Sequence, residues 1–140
     1  MQKATAHWAG KKVKFVVEAG SGHQASVDEP PLFGDDDGMR PTEMLLGALG
    51  SCTGINAVLL LKKFKQAYRS LDVEVEGDQQ DDWPHAFTSI EIRFQIGWEP
   101  GFQPDDELVA KALDMACNRY CPVDATLTNG TRITHRRVDS

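Results

Sequence analysis

An uncharged segment of eighteen residues, 44–61, constrains the fold of this chain more than any other feature of its sequence. A segment this long and this apolar forms either a membrane-spanning helix or the buried central helix of a soluble core. Ser51, Thr53 and Asn56 place polar side chains inside it, and the flanking sequence alternates as amphipathic strands and helices. We therefore interpret the segment as a core helix and expect no membrane partner.

The composition is typical of one soluble domain covering residues 1–140. The net charge of −6 and the isoelectric point near 5.1 argue against nucleic acid and anionic membranes as partners, because both attract clustered positive charge. Three cysteines are an odd number, which fits poorly with a secreted disulfide framework. The N-terminus shows no basic, apolar leader. We therefore expect a cytoplasmic protein.

Hydrophobic periodicity predicts an α+β fold. Alternating apolar residues indicate strands, and prolines followed by acidic residues indicate the starts of helices. The predicted order is three strands, a helix, two strands, a helix and a final strand. The elements are strands at 4–8, 13–17 and 23–27, a helix from 41 to about 66, strands at 71–76 and 89–98, a helix from 104 to about 120, a short helical piece at 122–127 and a strand at 131–138.

Glycines give the central helix one face with almost no side chains. At 100° per residue, Gly47, Ser51 and Gly54 fall within about 60° of one another. Another backbone can approach such a face closely. We therefore expect this ridge to pack tightly against a neighbouring element.

The central helix carries a cysteine, Cys52, on a different face. A free cysteine among apolar residues is most often a small buried hydrophobic side chain. A reactive thiol is the alternative, and this segment alone leaves both open. The stripe that Cys52 shares is otherwise apolar, with one amide: Leu45, Leu49, Asn56 and Leu59.

The segment MACNRYCPVDATL (115–127) carries the other two cysteines and favours reactive chemistry. Cys121 precedes a proline at a helix junction, where the amides that open the next helix favour a thiolate. Cys117 lies one turn earlier and is interpreted as core filler. A metal site at Cys117 and Cys121 is the weaker interpretation, because this spacing lacks a second pair of ligands. We expect no metal and no cofactor.

Two segments together resemble the OsmC/Ohr family of thiol-dependent peroxidases: RPTEMLLGALGSCTGINAV (40–58) and YCPVDATL (120–127). SGHQASVDE (21–29) and TRITHR (131–136) are similar to the YhfA-type branch rather than to Ohr itself. The resemblance covers nearly the whole chain. It implies an OsmC-like α+β fold, built as an intertwined homodimer with two long central helices packed against antiparallel sheets. The active sites of such a dimer lie at the subunit interface.

The resemblance also implies a two-cysteine mechanism in oxidative or osmotic stress defence. Cys52 would be the peroxidatic thiol of a cysteine-based peroxidase, attacking an alkyl or lipid hydroperoxide and becoming a sulfenic acid. Cys121 would resolve it as an intramolecular disulfide. A dithiol donor, possibly of the lipoyl type, would then reduce the disulfide.

The chain departs from the family pattern at the cation and at the acid of the site. Family members use an arginine near the N-terminal strands, where this chain reads GKKVK (10–14), and Arg40 is the first arginine present. Arg40 is a candidate substitute, or else a solvated loop residue. A lysine of the turn supplies charge but not the planar fork of donors that guanidinium offers.

The family's glutamate directly follows the helix-opening proline, where this chain has Thr42; Glu43 comes one position later. Nine residues separate Glu43 from Cys52, which is about 180° around and ~13.5 Å along a regular helix. Glu43 can therefore serve only a partner's site, or it is simply an acid favoured in the first turn. These departures leave a second function open: an OsmC-fold protein that binds a hydrophobic small molecule or senses redox state, with weak or no peroxidase activity.

Overall fold

A computed structural model describes residues 1–139 of the chain. The chain forms two compact units, one comprising Met1–Leu46 and the other beginning at Gly47. Helices and antiparallel sheets confirm the predicted α+β class.

The first unit contains a three-stranded antiparallel sheet. Its strands are β1 (Ala4–Trp8), β2 (Phe15–Ala19) and β3 (Gln24–Val27), paired in the order β1-β2-β3. The strands predicted from alternation are confirmed, with the second shifted two residues toward the C-terminus. Gly10 and Gly22 adopt φ values of +79° and +89° in the connections, where glycine carries no steric cost.

A buried carboxylate organises the loop that follows β3. Asp28 is 2% exposed. One of its oxygens accepts a hydrogen bond from the Glu29 amide at 2.8 Å, and the other accepts from the amides of Asp35 and Asp37, both at 3.1 Å. Three backbone donors therefore fold the loop around a single side chain.

The central helix, α1 (Pro41–Lys63), ends three residues before the predicted position. Lys65 has a φ of +56°, and the Gln66 amide donates to the Leu61 carbonyl at 2.9 Å. A left-handed residue with such a backward bond is a common way to end a helix.

By length and composition α1 also meets the requirements of a membrane-spanning helix. Seven of its residues are nonetheless buried within the protein, in agreement with the prediction of a core helix: Leu49, Gly50, Thr53, Gly54, Ala57, Leu60 and Leu61.

The predicted glycine ridge of α1 is only partly confirmed. Gly54 is buried, and a Cβ at this position would lie 3.2 Å from Val73 Cγ2. Gly50 is tighter still, since its Cβ would lie 2.9 Å from Val75 Cγ2. Ser51, by contrast, is exposed. The close contact is therefore with a β-strand of the same chain, and it is centred on Gly50 and Gly54.

That strand belongs to a long antiparallel hairpin in the second unit. β4 (Tyr68–Gln79) pairs with β5 (Phe87–Trp98), so that Val73 faces Phe94 and Val75 faces Ile92. Apolar residues of both strands are half-buried, and the intervening acidic residues of β4 are exposed. The alternation predicted from the sequence is thus confirmed, although the loop is shorter than expected.

Two further helices complete the second unit. Asp105 caps α2 (Asp106–Asn118) by accepting from the amides of Glu107 and Leu108. A short helix, α3 (Pro122–Thr128), follows. α1 and α2 meet in a cluster of buried small and aliphatic residues: Ala57, Leu60, Leu61, Ala112 and Ala116.

The prediction of a strand at 131–138 is wrong, because the chain forms none there. Residues 131–139 form neither helix nor strand and are exposed. The apolar and polar residues of this segment do alternate, but a strand is stable only when its backbone groups pair with a neighbouring strand. Within the described chain this segment lacks such a neighbour.

Candidate functional site

The structure brings together two cysteines that are far apart in the sequence. Cys52 lies near the middle of α1 and is half-buried, whereas Cys121 directly precedes α3 and is only 4% exposed. Cys52 lies close enough to the Cys121 thiol to raise its pKa. Both thiols are free. The predicted pair is therefore assembled by the fold.

Opposing effects act on the Cys121 thiol. Burial raises its pKa above the ordinary value, and the hydrogen bond and charge of Cys52 raise it further. The amides of Asp124 and Val123 act the other way, and the Asp124 amide donates to the Cys121 sulfur at 3.2 Å. The predicted junction amides are therefore present, but burial and the neighbouring thiol outweigh them. The pKa of the Cys121 thiol therefore lies above its ordinary value.

Cys117 is the third thiol of the same neighbourhood. It is half-buried, so it is less enclosed than the core position predicted for it. Burial raises the pKa of Cys117 to about 11, with smaller contributions from the charges of Asp124, Cys121 and Asp114. A thiol with such a pKa is unreactive near neutral pH.

Among the described residues, no group of three or more histidine, cysteine or acidic side chains is placed to hold a metal ion.

A cavity of about 270 Å³ is lined by residues of α1, β5 and α3. Leu49, less than one turn before Cys52, forms part of its wall, and so does Asp124, whose amide contacts Cys121. Most of the remaining lining is apolar and comes from β5 and α3: Phe87, Ile90, Ile92 and Leu127. Thr88, Ser89 and Thr128 complete the lining, so the cavity has a mainly apolar wall with a few polar groups.

Arg40 and Glu43 are engaged at the start of α1. The Arg40 guanidinium contacts Asp36 at 2.7 Å and donates to the Gly38 carbonyl at 3.1 Å. Glu43 Oε1 accepts from the Arg40 amide at 2.8 Å, which is how a third-position glutamate caps a helix start. The contact of Glu43 is that of an acid in the first turn of a helix, whereas Arg40 is paired with Asp36 rather than simply solvated.

The lysines of the N-terminal turn are also paired. Lys11 and Lys12 contact Asp35 at 3.2 and 2.6 Å, and Lys14 contacts Asp37. The acidic triplet of the loop thus meets the cations of the turn within the first unit. This pairing was not predicted, since the turn and the loop are separated in the sequence.

Two residues near the thiols were not assigned a role from the sequence. The Asn56 side chain donates to the Ala116 carbonyl at 3.3 Å and joins α1 to α2. Asp124 donates its amide to the Cys121 sulfur and also lines the cavity. The position of Asp124, three residues after a helix-capping residue, is a signal that could have been used. The signal for Asn56 was a lone amide on the stripe of Cys52.

Comparison with known proteins agrees with this architecture. The family model described as OsmC-like protein matches residues 34–136. Protein YhfA of Escherichia coli K12 is 32% identical over 121 residues, covering 86% of each chain.

Two solved structures share the fold. An OsmC-like protein from Mycoplasma pneumoniae aligns with a TM-score of 0.77 at 18% identity, covering 93% of this chain and 89% of that one. An organic hydroperoxide resistance protein from Elizabethkingia anophelis aligns with a TM-score of 0.59 at 23% identity, covering 92% and 89%. From the family match and the similarity to YhfA, we conclude that this chain belongs to the OsmC-like protein family.

Proposed function

We propose that this protein reduces organic hydroperoxides, with Cys52 as the attacking thiol and Cys121 as the resolving thiol. The observation that carries the proposal is the proximity of these two thiols, one on α1 and one at the cap of α3, which is close enough for Cys52 to raise the pKa of Cys121.

The proposed reaction cycle has three steps. The Cys52 thiolate attacks one peroxide oxygen, the O–O bond breaks, and the alkoxide leaves as an alcohol after taking a proton; Cys52 becomes a sulfenic acid. Cys121, as thiolate, then attacks the sulfenic sulfur, and the hydroxyl leaves as water with the proton released by Cys121. A dithiol reduces the resulting disulfide and is itself oxidised.

Apolar surroundings favour organic hydroperoxides over hydrogen peroxide as substrates. The cavity that Leu49 and Asp124 help to line has mainly aliphatic and aromatic walls, which stabilise alkyl or lipid chains by removing them from water. The similarity in fold to an organic hydroperoxide resistance protein supports this choice and a role in stress defence. In this proposal the protein is cytoplasmic and the dithiol is of the lipoyl type.

The test is the consumption of cumene hydroperoxide by the fully reduced protein without any added reductant. One equivalent per chain should disappear as the Cys52–Cys121 disulfide forms. Cys52→Ser should consume none, whereas Cys117→Ser, the matched control at the third thiol, should behave as the unaltered protein.

The competing function is a protein that binds a hydrophobic molecule or senses redox state without turnover. Failure of the unaltered protein to consume hydroperoxide, combined with saturable binding of an apolar probe, would establish that function instead.

A homodimer is part of this proposal. The second unit leaves one face of α1 uncovered, with Ile55 62% exposed and Leu59 61% exposed. Apolar side chains on a central helix are rarely left in water, and a second copy of the chain offers the same face in return. Light scattering should give twice the mass of the chain. Ile55→Glu should yield a monomer, while Trp83→Glu in the exposed hairpin loop should not.

Arg40 and Glu43 enter as candidates for the cation and the acid of the partner subunit's site. If they act there, Arg40→Gln and Glu43→Gln should slow the reaction with hydroperoxide while leaving the melting temperature nearly unchanged. A lower melting temperature with an unchanged rate would restrict both residues to the start of α1.

A further inference from the structure

The side chain of Asn56 links the helix that carries Cys52 to the end of the helix that delivers Cys121. Its Nδ2 donates to the Ala116 carbonyl at 3.3 Å, a contact between residues sixty positions apart. The amide is half-buried and lies on the same stripe of α1 as Cys52, four residues later. In a regular helix this places Asn56 about 6 Å along the axis and about 40° around from Cys52.

Ala116 occupies the last turn of α2, where carbonyl groups lose their helical partners. In a continued helix the Tyr120 amide would donate to Ala116. Here it donates to the Met115 carbonyl instead, at 3.1 Å, as does the Arg119 amide. The chain therefore turns out of α2 at this point, and Asn56 supplies a hydrogen bond to the carbonyl at the turn. Cys121 follows immediately.

We propose that Asn56 is a positioning residue for disulfide closure, an inference that rests on the proposed two-cysteine function. Attack by one sulfur on another requires a narrow range of positions of the two Cβ atoms. Asn56, one turn after Cys52 on α1, is bonded to the end of α2, and Cys121 follows that end in the chain. In this proposal Asn56 acts through the backbone at the end of α2 and not on the reacting sulfurs directly.

The step affected is the second one, in which the Cys121 thiolate displaces hydroxide from the sulfenic acid of Cys52. A second molecule of hydroperoxide competes for that sulfenic acid and oxidises it to sulfinic acid, itself becoming an alcohol. Loss of the Asn56 hydrogen bond should therefore leave the first oxidation unchanged and shift the outcome from disulfide to sulfinic acid. One neutral hydrogen bond corresponds to an effect of about fivefold on such a ratio.

The experiment compares Asn56→Ala with Asn118→Ala. Asn118 is a suitable control because its amide also donates near the end of α2, but to the exposed Asp114 carboxylate at 2.7 Å. Each reduced protein is treated with increasing cumene hydroperoxide, the rate of the first oxidation is measured, and mass spectrometry gives the ratio of sulfinic acid to disulfide. We expect that ratio to rise about fivefold in Asn56→Ala only, at an unchanged first rate.

Equal ratios in folded Asn56→Ala and in the unaltered protein would overturn the proposal, as would an equal rise in Asn118→Ala. If Asn56→Ala does not fold, Asn56→Leu, which keeps the side-chain volume but removes the donor, is subjected to the same comparison.

A second measurement separates this inference from the proposed function. Diamide, a thiol-specific oxidant, closes the Cys52–Cys121 disulfide without any hydroperoxide. If the unaltered protein consumes no hydroperoxide but Asn56→Ala closes the disulfide about fivefold more slowly with diamide, the positioning role stands and the peroxidase function fails. Equal closure rates with diamide refute the positioning role.

Discussion

Replacing Gly54 by leucine tests how closely α1 packs against β4. A Cβ at this position already lies 3.2 Å from Val73 Cγ2, which is tighter than an ordinary contact. Leucine adds three more carbon atoms in the same direction. Val73 is β-branched and stiff, and its strand is held by pairing with Phe94 on β5, so the neighbour has little freedom to move.

The magnitude follows from two opposing effects. Overpacking a well-packed contact costs about 1–3 kcal/mol, while replacing glycine by leucine inside a helix regains about 0.8 kcal/mol of helix propensity. The net destabilisation should be about 0.2–2.2 kcal/mol, which lowers the melting temperature by roughly 1–9 °C for a chain of this size.

Thermal unfolding followed by circular dichroism is the measurement, and Ala110→Leu is the control. Ala110 is an exposed position of α2, so the added atoms meet solvent and the melting temperature should stay close to that of the unaltered protein. A Gly54→Leu variant that melts with the unaltered protein would refute the close packing of α1 against β4.

Three further predictions concern ionisable groups. Because the pKa of Cys117 is about 11, this thiol should be alkylated slowly by iodoacetamide at mildly alkaline pH. Asp124→Asn should speed the alkylation, since it removes a charge that raises the pKa of Cys117. An unchanged alkylation rate would show that Asp124 does not act on Cys117. The pKa of Cys121 is raised by burial and by Cys52. The rate of disulfide closure, measured by stopped flow, should therefore still increase with pH above the ordinary thiol pKa of about 8.5. A rate that becomes constant below that pH would contradict the raised pKa. Burial alone raises the pKa of Asp28, but hydrogen bonds from three backbone amides outweigh it and hold the pKa below 3.8. The ionised carboxylate therefore stabilises the fold above that pH, and this stabilisation is lost in stronger acid. Asp28→Asn should lower the stability at neutral pH and make acid unfolding, measured by circular dichroism, less dependent on pH.

Local patterns in the sequence were sufficient to predict most of the secondary structure. Alternation along β4 and β5 is regular because one face of the hairpin is half-buried and the other faces water. The cysteine-proline step predicted the start of α3, since proline suits the first helical position and the preceding residue serves as the cap. These features depend on neighbours a few residues away.

Features that depend on distant partners could not be derived from the residues alone. The approach of Cys52 to Cys121 was expected only through resemblance to a family, because helical spacing says nothing about which elements meet. The pairing of Lys12 with Asp35 and the bond from Asn56 to Ala116 are likewise set by tertiary structure. The prediction of a final strand was wrong for the same reason: alternation can be recognised locally, but whether a neighbouring strand is available depends on tertiary structure.

The cap of α3 makes one sulfur responsible for both chemistry and local order. In the reduced protein the Cys121 sulfur accepts a hydrogen bond from the Asp124 amide and so caps a helix of only seven residues. A helix this short is unstable unless the backbone groups at its ends have hydrogen-bond partners. If the proposed disulfide forms, the new S–S bond changes the orientation of the Cys121 sulfur and weakens its hydrogen bond to the Asp124 amide. We therefore expect oxidation to loosen the first turn of α3.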